Sequence, residues 1–284
     1  MAKSSVARRM RLLQIRIVAG VLSTIGRFGM GVSVLAILRR ISPARRFLNL
    51  LLGYHQRFPS FKAAEAYAFR YSPEGHVHPA ELEFHSSQAG VLRGSDYPML
   101  YFMSRNAASY RKVFDLGGNV GNLYYSYAPW LELSPGLHWT VFDLPQKQEH
   151  CLALAAKHAE TRVKFTTRME DASGADLLIA SGSMHYLNQP LDRILSVLAE
   201  LPRQVLVNRS PFSRDEDVIS VQDNWSYLVP CTAYGRPGLI DRMKKLGYEL
   251  RAEWPVHERR LRVPMYSDVV EPCYAGMFFE RSVR

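Results

Sequence analysis

The chain has 284 residues, 47% of them hydrophobic and 11% aromatic, enough to bury one sizeable core and at most about two domains, and excluding collagen-like, coiled-coil and mostly disordered classes. Its formal charge of +10 is unevenly placed: residues 1–64 hold 12 Lys and Arg with no Asp or Glu, leaving 24 basic against 26 acidic residues in the body. A nucleic-acid enzyme more often carries its positive charge on the catalytic body, so the asymmetry marks the first residues as an attachment arm and argues against a nucleic-acid partner.

Residues 1–50 form this basic arm. From Val6 to Leu38 it is apolar with sparse arginines, and at 100° per residue Arg9, Arg16 and Arg27 fall on one stripe opposite Ile, Val, Leu and Phe. Arg27 splits the apolar run into Ile17–Gly26 and Phe28–Leu38, each too short to span a bilayer, and an arginine at mid-bilayer costs roughly 2.5–3.5 kcal/mol. A helix lying on an anionic membrane surface is the cheaper arrangement. A helix packed within the protein or in a homodimer, a transit peptide and a true span are the alternatives. Cys151, Cys231 and Cys273 are scattered, without the close pairs of a zinc site or a disulfide framework. They fit a reducing, cytoplasmic body held at the inner face of the membrane.

Residues 51–109 read as a helical cap, with helices over Phe61–Phe69 and Tyr97–Ser109. His76, His78, Glu81, Glu83 and His85 suggest a metal site only superficially, because a third ligand at helical spacing is missing. A polar loop leading to a helix start near Pro79 accounts for them, so no metal is expected.

From 110 to 284 the pattern alternates strand and helix. Strands are predicted at Val113–Asp115, Thr140–Phe142, Val163–Thr167, Asp176–Ala180, Gln204–Val207, Tyr248–Trp254 and Tyr274–Glu280. Helices are predicted from Val120 to Leu131, over Gln146–Ala159, from Pro190 to about Leu201, and over Pro237–Leu246, closed by Gly247. Such alternation means an α/β fold with a mostly parallel, Rossmann-like doubly wound sheet.

The first strand runs into Asp115-Leu-Gly-Gly-Asn-Val-Gly121 and then a helix, the context of a nucleotide-binding turn. Gly117, Gly118 and Gly121 allow a tight turn and close ligand approach, and Asn119 tolerates a left-handed backbone. A plain β-turn before a helix is the bland alternative. Asp143 ends the second strand 22 residues after Gly121, where a carboxylate can accept from both ribose hydroxyls, or can cap the helix that begins at Leu144-Pro145.

Val113-Phe-Asp-Leu-Gly-Gly-Asn-Val-Gly121 followed by Val141-Phe-Asp-Leu-Pro145 resembles motifs I and II of the class I S-adenosylmethionine-dependent methyltransferases, over roughly Arg111 to Arg284. The resemblance implies S-adenosyl-L-methionine as cofactor, Asp115 at its methionine amino group, Asp143 at the ribose, Asp171 near the adenine, and an antiparallel last strand. It also places Leu144, Ser181, Gly182 and Ser183 along the cofactor. More narrowly, the chain resembles a group of bacterial methyltransferases associated with cell-surface polysaccharide loci. That resemblance names no acceptor.

After the fourth strand, Ala180-Ser-Gly-Ser-Met-His-Tyr186 reaches the carboxyl edge of the sheet, where ligands bind in such folds. Methyl transfer to a hydroxyl needs a proton removed, and His185 is the expected base. Small-molecule O-methyltransferases have a histidine in the corresponding segment, but here Tyr186-Leu187 replaces the Asp-Trp that follows it there, and a pocket-shaping histidine is the alternative. No Asn- or Asp-Pro-Pro-aromatic run occurs, which favours oxygen over a nucleobase amine. Asn208, Arg209 and the stretch from Ser210 to Tyr234 are then expected to form the acceptor pocket, Arg209 gripping a phosphate or carboxylate or else bonding a loop carbonyl. Tyr124, Tyr125 and Tyr127 read as helix packing. The expected acceptor is a hydroxyl-bearing small molecule or a lipid- or saccharide-linked one. The competing readings are a NAD-dependent oxidoreductase or epimerase and a non-catalytic, membrane-attached nucleotide-binding protein.

Overall fold

Strand residues that alternate between two apolar faces build a sheet that must be covered on both sides, and the protein solves this with helices above and below. The computed structural model describes residues 53–78, 85–224, 227–260, 269–271 and 273–281. The arm at residues 1–50, Glu81 and Glu83 lie outside the described residues.

The main sheet comprises β1 (Lys112–Leu116), β2 (His138–Phe142), β3 (Val163–Thr166), β4 (Leu177–Ser181), β5 (Gln204–Ser210), β9 (Tyr248–Arg260) and β10 (Cys273–Arg281). Their order is β3-β2-β1-β4-β5-β10-β9. β1 to β5 are mutually parallel, and β10 runs antiparallel to both β5 and β9. This is the expected Rossmann-like doubly wound sheet with its antiparallel last strand. Val113, Leu177 and Ile179 face one core with Trp139, Tyr124 and Tyr127. Phe114, Leu178 and Ala180 face the other with Leu191, Leu195, Leu239 and Met243.

The helices are α1 (Phe61–Tyr71), α2 (Asp96–Ser104), α3 (Asn122–Tyr127), α4 (Gln148–Lys157), α5 (Leu191–Ser196) and α6 (Arg236–Lys245). Ser60 caps α1 through Ala63 N. Helices α2 and α5 end about one turn earlier than the sequence suggests, at Ser104 and Ser196.

Residues 210–234 do not form an open loop. They contain β6 (Phe212–Ser213), β7 (Val218–Asp223) and β8 (Leu228–Gly235), a second sheet of order β6-β8-β7. The amides of His55 and Phe58 donate to Val221 O at 2.9 Å and Ile219 O at 2.8 Å, and Ala64 and Ala68 of α1 bury against Val221. The cap is therefore stitched to the β7–β8 hairpin by backbone hydrogen bonds as well as by apolar contact.

Candidate functional site

In an open parallel sheet, ligands bind beyond the carboxyl ends of the strands where the chain order reverses. Here that point lies between β1 and β4, so the turns after Leu116 and Ser181 face each other. A cavity of about 720 Å³ opens there, lined by both turns, by Phe142 to Pro145 after β2, by Thr167 after β3, by Arg209 of β5 and by cap residues.

The glycine turn is held on several sides. A Cβ on Gly117, whose φ is +68°, would run into the Ser183 side chain, and Ser183 Oγ itself donates to Leu116 O. A Cβ on Gly118 would stand 2.5 Å from Asp115 Cγ, so only glycine lets the turn close over that carboxyl. Asn119 takes the left-handed conformation at φ 55°. Its amide donates to Asp143 Oδ2 at 2.8 Å, while Asp143 Oδ1 accepts from Leu144 N at 2.7 Å and pairs with the buried Lys147 Nζ at 3.3 Å. Asp143 thus ties the two turns together at the cavity wall. Gly121, at φ 78°, packs against Val141 and starts α3 rather than lining the cavity.

Several expected residues take other places. Asp115 is 1% exposed and lies behind Gly118, off the cavity wall. Burial, opposed by a 3.3 Å bond from Trp139 Nε1 and reinforced by the charge of Asp143, pushes its carboxyl up to about 7. Asp171 accepts from Thr166 Oγ1 at 2.6 Å and also stays off the wall, where Thr167 stands instead. Asn208 is fully buried, donating to Ser95 O at 3.0 Å and accepting from Trp254 Nε1 at 3.1 Å, so it fixes the cap rather than a substrate. Leu144, Ser181, Gly182 and Ser183 do line the cavity.

His185 does not meet the geometry expected of a base. It is 1% exposed and absent from the cavity wall, and neither ring nitrogen has a hydrogen-bond partner among the described residues. Its ring packs on Tyr186 and Tyr274, and burial, then the charges of Arg259 and His76, hold its pKa well below the usual histidine value. Its place on the wall is taken by its neighbour Tyr186, whose hydroxyl donates to Gln222 Oε1 at 2.5 Å.

The cap supplies histidines that the sequence reading set aside. His76 lines the cavity with its ring centroid 4.5 Å from Tyr186 and 6.1 Å from Tyr227, and His85 lines it too. Among the described residues no cluster of His, Cys, Asp and Glu is arranged to hold a metal ion. Arg209, with φ 48°, is 6% exposed; it pairs with the buried Asp96, donates to Ser95 Oγ at 3.0 Å, and still reaches the cavity wall. Arg93 and Arg259 line the wall as well. Tyr124 and Tyr127 are fully buried, as helix packing requires, with Tyr127 donating to Asp96 Oδ1 at 2.7 Å.

No protein-family model matches the chain, and no curated protein is significantly similar to it. Among solved structures it is similar to the N-terminal domain of EvdMO1 with SAH bound, at 13% identity over 68% of this chain and 83% of that one, TM-score 0.47. It is similar to a S-adenosylmethionine-dependent methyltransferase from Clostridium acetobutylicum, at 9% identity over 71% and 98%, TM-score 0.46. A magnesium protoporphyrin IX methyltransferase from Synechocystis with bound SAM is similar at 11% identity over 72% and 82%, TM-score 0.44. At such identities the chemistry has to come from this chain's own residues.

Proposed function

We propose that the protein is a S-adenosylmethionine-dependent methyltransferase acting on a hydroxyl group. The observation that carries this reading is the Asp143 carboxylate, placed on the cavity wall beside the glycine turn and bonded to Asn119 N and Leu144 N at the switch point of the sheet. The cavity volume and the glycine turn suit a nucleoside-sized cofactor. Gly117, Gly118 and Asn119 would bring backbone against it, Asp143 would accept from its ribose, and Leu144, 42% exposed at the rim, would cover its base. Ser181, Gly182, Ser183 and Thr167 would complete the cradle. Asp115 and Asp171 support this cradle from behind, through Gly118 and Thr166.

When bound, the cofactor supplies a sulfonium-activated methyl group. The acceptor hydroxyl must lose its proton, and His76 is the cavity histidine with aromatic walls on two sides to orient it. Tyr186 and Tyr227, packed against the His76 ring, would screen that point from water.

The basic arm supports attachment to the inner, anionic face of a membrane, and with it acceptors that reside there, such as lipid-linked saccharides. The resemblance to methyltransferases of cell-surface polysaccharide loci points the same way. Among the described residues no helix is long and apolar enough to cross a membrane. The deciding experiment is calorimetry of the full chain with S-adenosylhomocysteine and with NAD: micromolar binding of the first is expected, and tight binding of NAD alone overturns the assignment.

A further inference from the structure

Residues 53–58, the first described stretch of the chain, extend the smaller sheet beyond β7. Asp223 N donates to Gly53 O at 3.0 Å, His55 N to Val221 O at 2.9 Å and Phe58 N to Ile219 O at 2.8 Å. Ser220 Oγ donates to His55 O at 3.0 Å, and Tyr54 stands opposite Gln222 in antiparallel register. A short edge segment of this kind opens at a lower free energy than the interior strands of the main sheet. Directly ahead of it in the sequence lies the basic, apolar arm.

Two ties run from this segment to the cavity, and both start at one register position. Gln222, 6% exposed, accepts from the Tyr186 hydroxyl at 2.5 Å, and Tyr186 stands on the cavity wall. Tyr54 shares a hydrogen bond with the hydroxyl of Tyr274, both residues being buried. The Tyr274 ring in turn carries the guanidinium of Arg259, another wall residue, 6.0 Å from its centre. Between the two ties sits His185, its ring 3.9 Å from that of Tyr186 and 5.7 Å from that of Tyr274. Neither of its nitrogens is hydrogen-bonded among the described residues, so its seat is set by packing against the two tyrosines. Tyr54 and Gln222 themselves do not line the cavity.

We propose that residues 53–58 are a strap that couples the arm to the cavity. With the strap laid on β7, Tyr54 and Gln222 act as positioning residues, holding Arg259 through Tyr274 and Tyr186 directly. With it lifted, Tyr54 leaves Tyr274, the β7 edge that bears Gln222 loses its neighbour, and both wall side chains gain freedom. An arm held on an anionic surface restricts the chain at Gly53 and so lowers the entropy lost when the strap closes. Coupling of this kind is reciprocal, so a ligand that fills the cavity against a seated wall favours the laid strap and tightens attachment of the arm. The coupling rests on the methyltransferase reading for the identity of the cavity ligand, and on the surface-anchor reading of the arm.

Hydrogen exchange of the full chain, read by mass spectrometry, tests both directions. The chain is compared alone, with saturating S-adenosylhomocysteine, and with vesicles of phosphatidylglycerol and phosphatidylcholine in equal parts. S-adenosylhomocysteine should slow the amides of His55 and Phe58, which lie off the cavity wall, about fivefold or more, and vesicles should slow those of Tyr186 and Leu187 similarly. In Gln222→Leu both transmitted effects should be lost, while S-adenosylhomocysteine affinity and vesicle flotation move less than about threefold. Gln222→Glu, which keeps an acceptor for the Tyr186 hydroxyl, should restore them, and Tyr54→Phe, which keeps the ring but not the bond to Tyr274, should weaken them. Slowing confined to the segment that each addition touches, or transmitted slowing indifferent to Gln222→Leu and Tyr54→Phe alike, would overturn the coupling, as would a full chain that does not bind the vesicles. A chain that binds vesicles and slows at Tyr186 and Leu187 in a Gln222-dependent way, with no S-adenosylhomocysteine binding in calorimetry, keeps the strap and loses the methyltransferase reading.

Discussion

Replacing Asp115 with Asn should flatten the dependence of stability on pH. The carboxyl is 1% exposed, Oδ2 accepts one long bond from Trp139, and Oδ1 has no partner among the described residues. Its pKa of about 7 in the folded protein lies above the ordinary 3.8, so the folded state holds this proton more tightly than the unfolded chain does. The stability it contributes is complete below the unfolded value and is lost as pH rises to about 7. At 1.36 kcal/mol per pH unit the full excursion is roughly 4 kcal/mol, of which roughly 2–3 kcal/mol falls between pH 5 and 8. Asn cannot ionise, so the variant should keep this amount over the same interval. Its amide introduces a buried donor at a fixed cost of about 1–3 kcal/mol, which moves the whole curve without tilting it. Urea unfolding of both proteins at pH 5, 6, 7 and 8, followed by tryptophan fluorescence, separates slope from offset. Parallel curves would refute the reasoning, since they would mean that the carboxyl is already ionised at pH 5 without penalty.

Asp143→Ala should weaken S-adenosylhomocysteine binding by roughly 1.5–3 kcal/mol in calorimetry, through lost charged hydrogen bonds and a loosened Asn119 turn; unchanged affinity would remove Asp143 from the cofactor site. Gly118→Ala should abolish measurable cofactor binding, because the new methyl collides with Asp115, and a variant that binds normally would show that the turn can open. His76→Ala should lower turnover on an identified acceptor about 10²–10⁴-fold with cofactor affinity unchanged, whereas His185→Phe should retain turnover since its ring makes no hydrogen bond; the opposite pattern would return the base role to His185. Vesicle flotation should carry the full chain onto anionic membranes but not a chain beginning near Leu50, with salt weakening the attachment; equal flotation of both would assign the arm another role.

The doubly wound sheet was legible because its strands are short apolar runs buried on both faces, separated by helices of clear period. The glycine turn and Asp143 were legible for a related reason: consecutive residues make the turn, and the next strand lies beside it. The β7–β8 hairpin was missed. Pro230 interrupts one strand, and the Val-Ile-Ser-Val-Gln-Asp pattern of the other is too brief to stand out from a polar loop. The cap side of the cavity was harder still, since His76, Arg93, Tyr227 and Arg259 are separated by long stretches of chain and meet only because the cap folds over the hairpin. His185 misled because Met184–Tyr186 form a short 3-10 turn in which neighbouring side chains point in different directions, and Asn208 misled because β5 turns its side chain into the interior. One place along the chain therefore decides between them. In the 3-10 turn after β4 it is Tyr186 that lines the cavity, and on β5 it is Arg209.

The pairing of residues 54–58 with β7, and of Asp96 with Arg209, has a consequence for transplanting acceptor preference between proteins of this architecture. The cap side of the cavity draws on two pieces of chain outside the main sheet, one preceding β1 and one inserted between β5 and β9. A graft of either piece alone would strand Arg209 in the interior with its charge unanswered, or leave Val221 and its neighbours bare. Exchange must carry both pieces together, and natural drift at residue 96 should be accompanied by drift at residue 209.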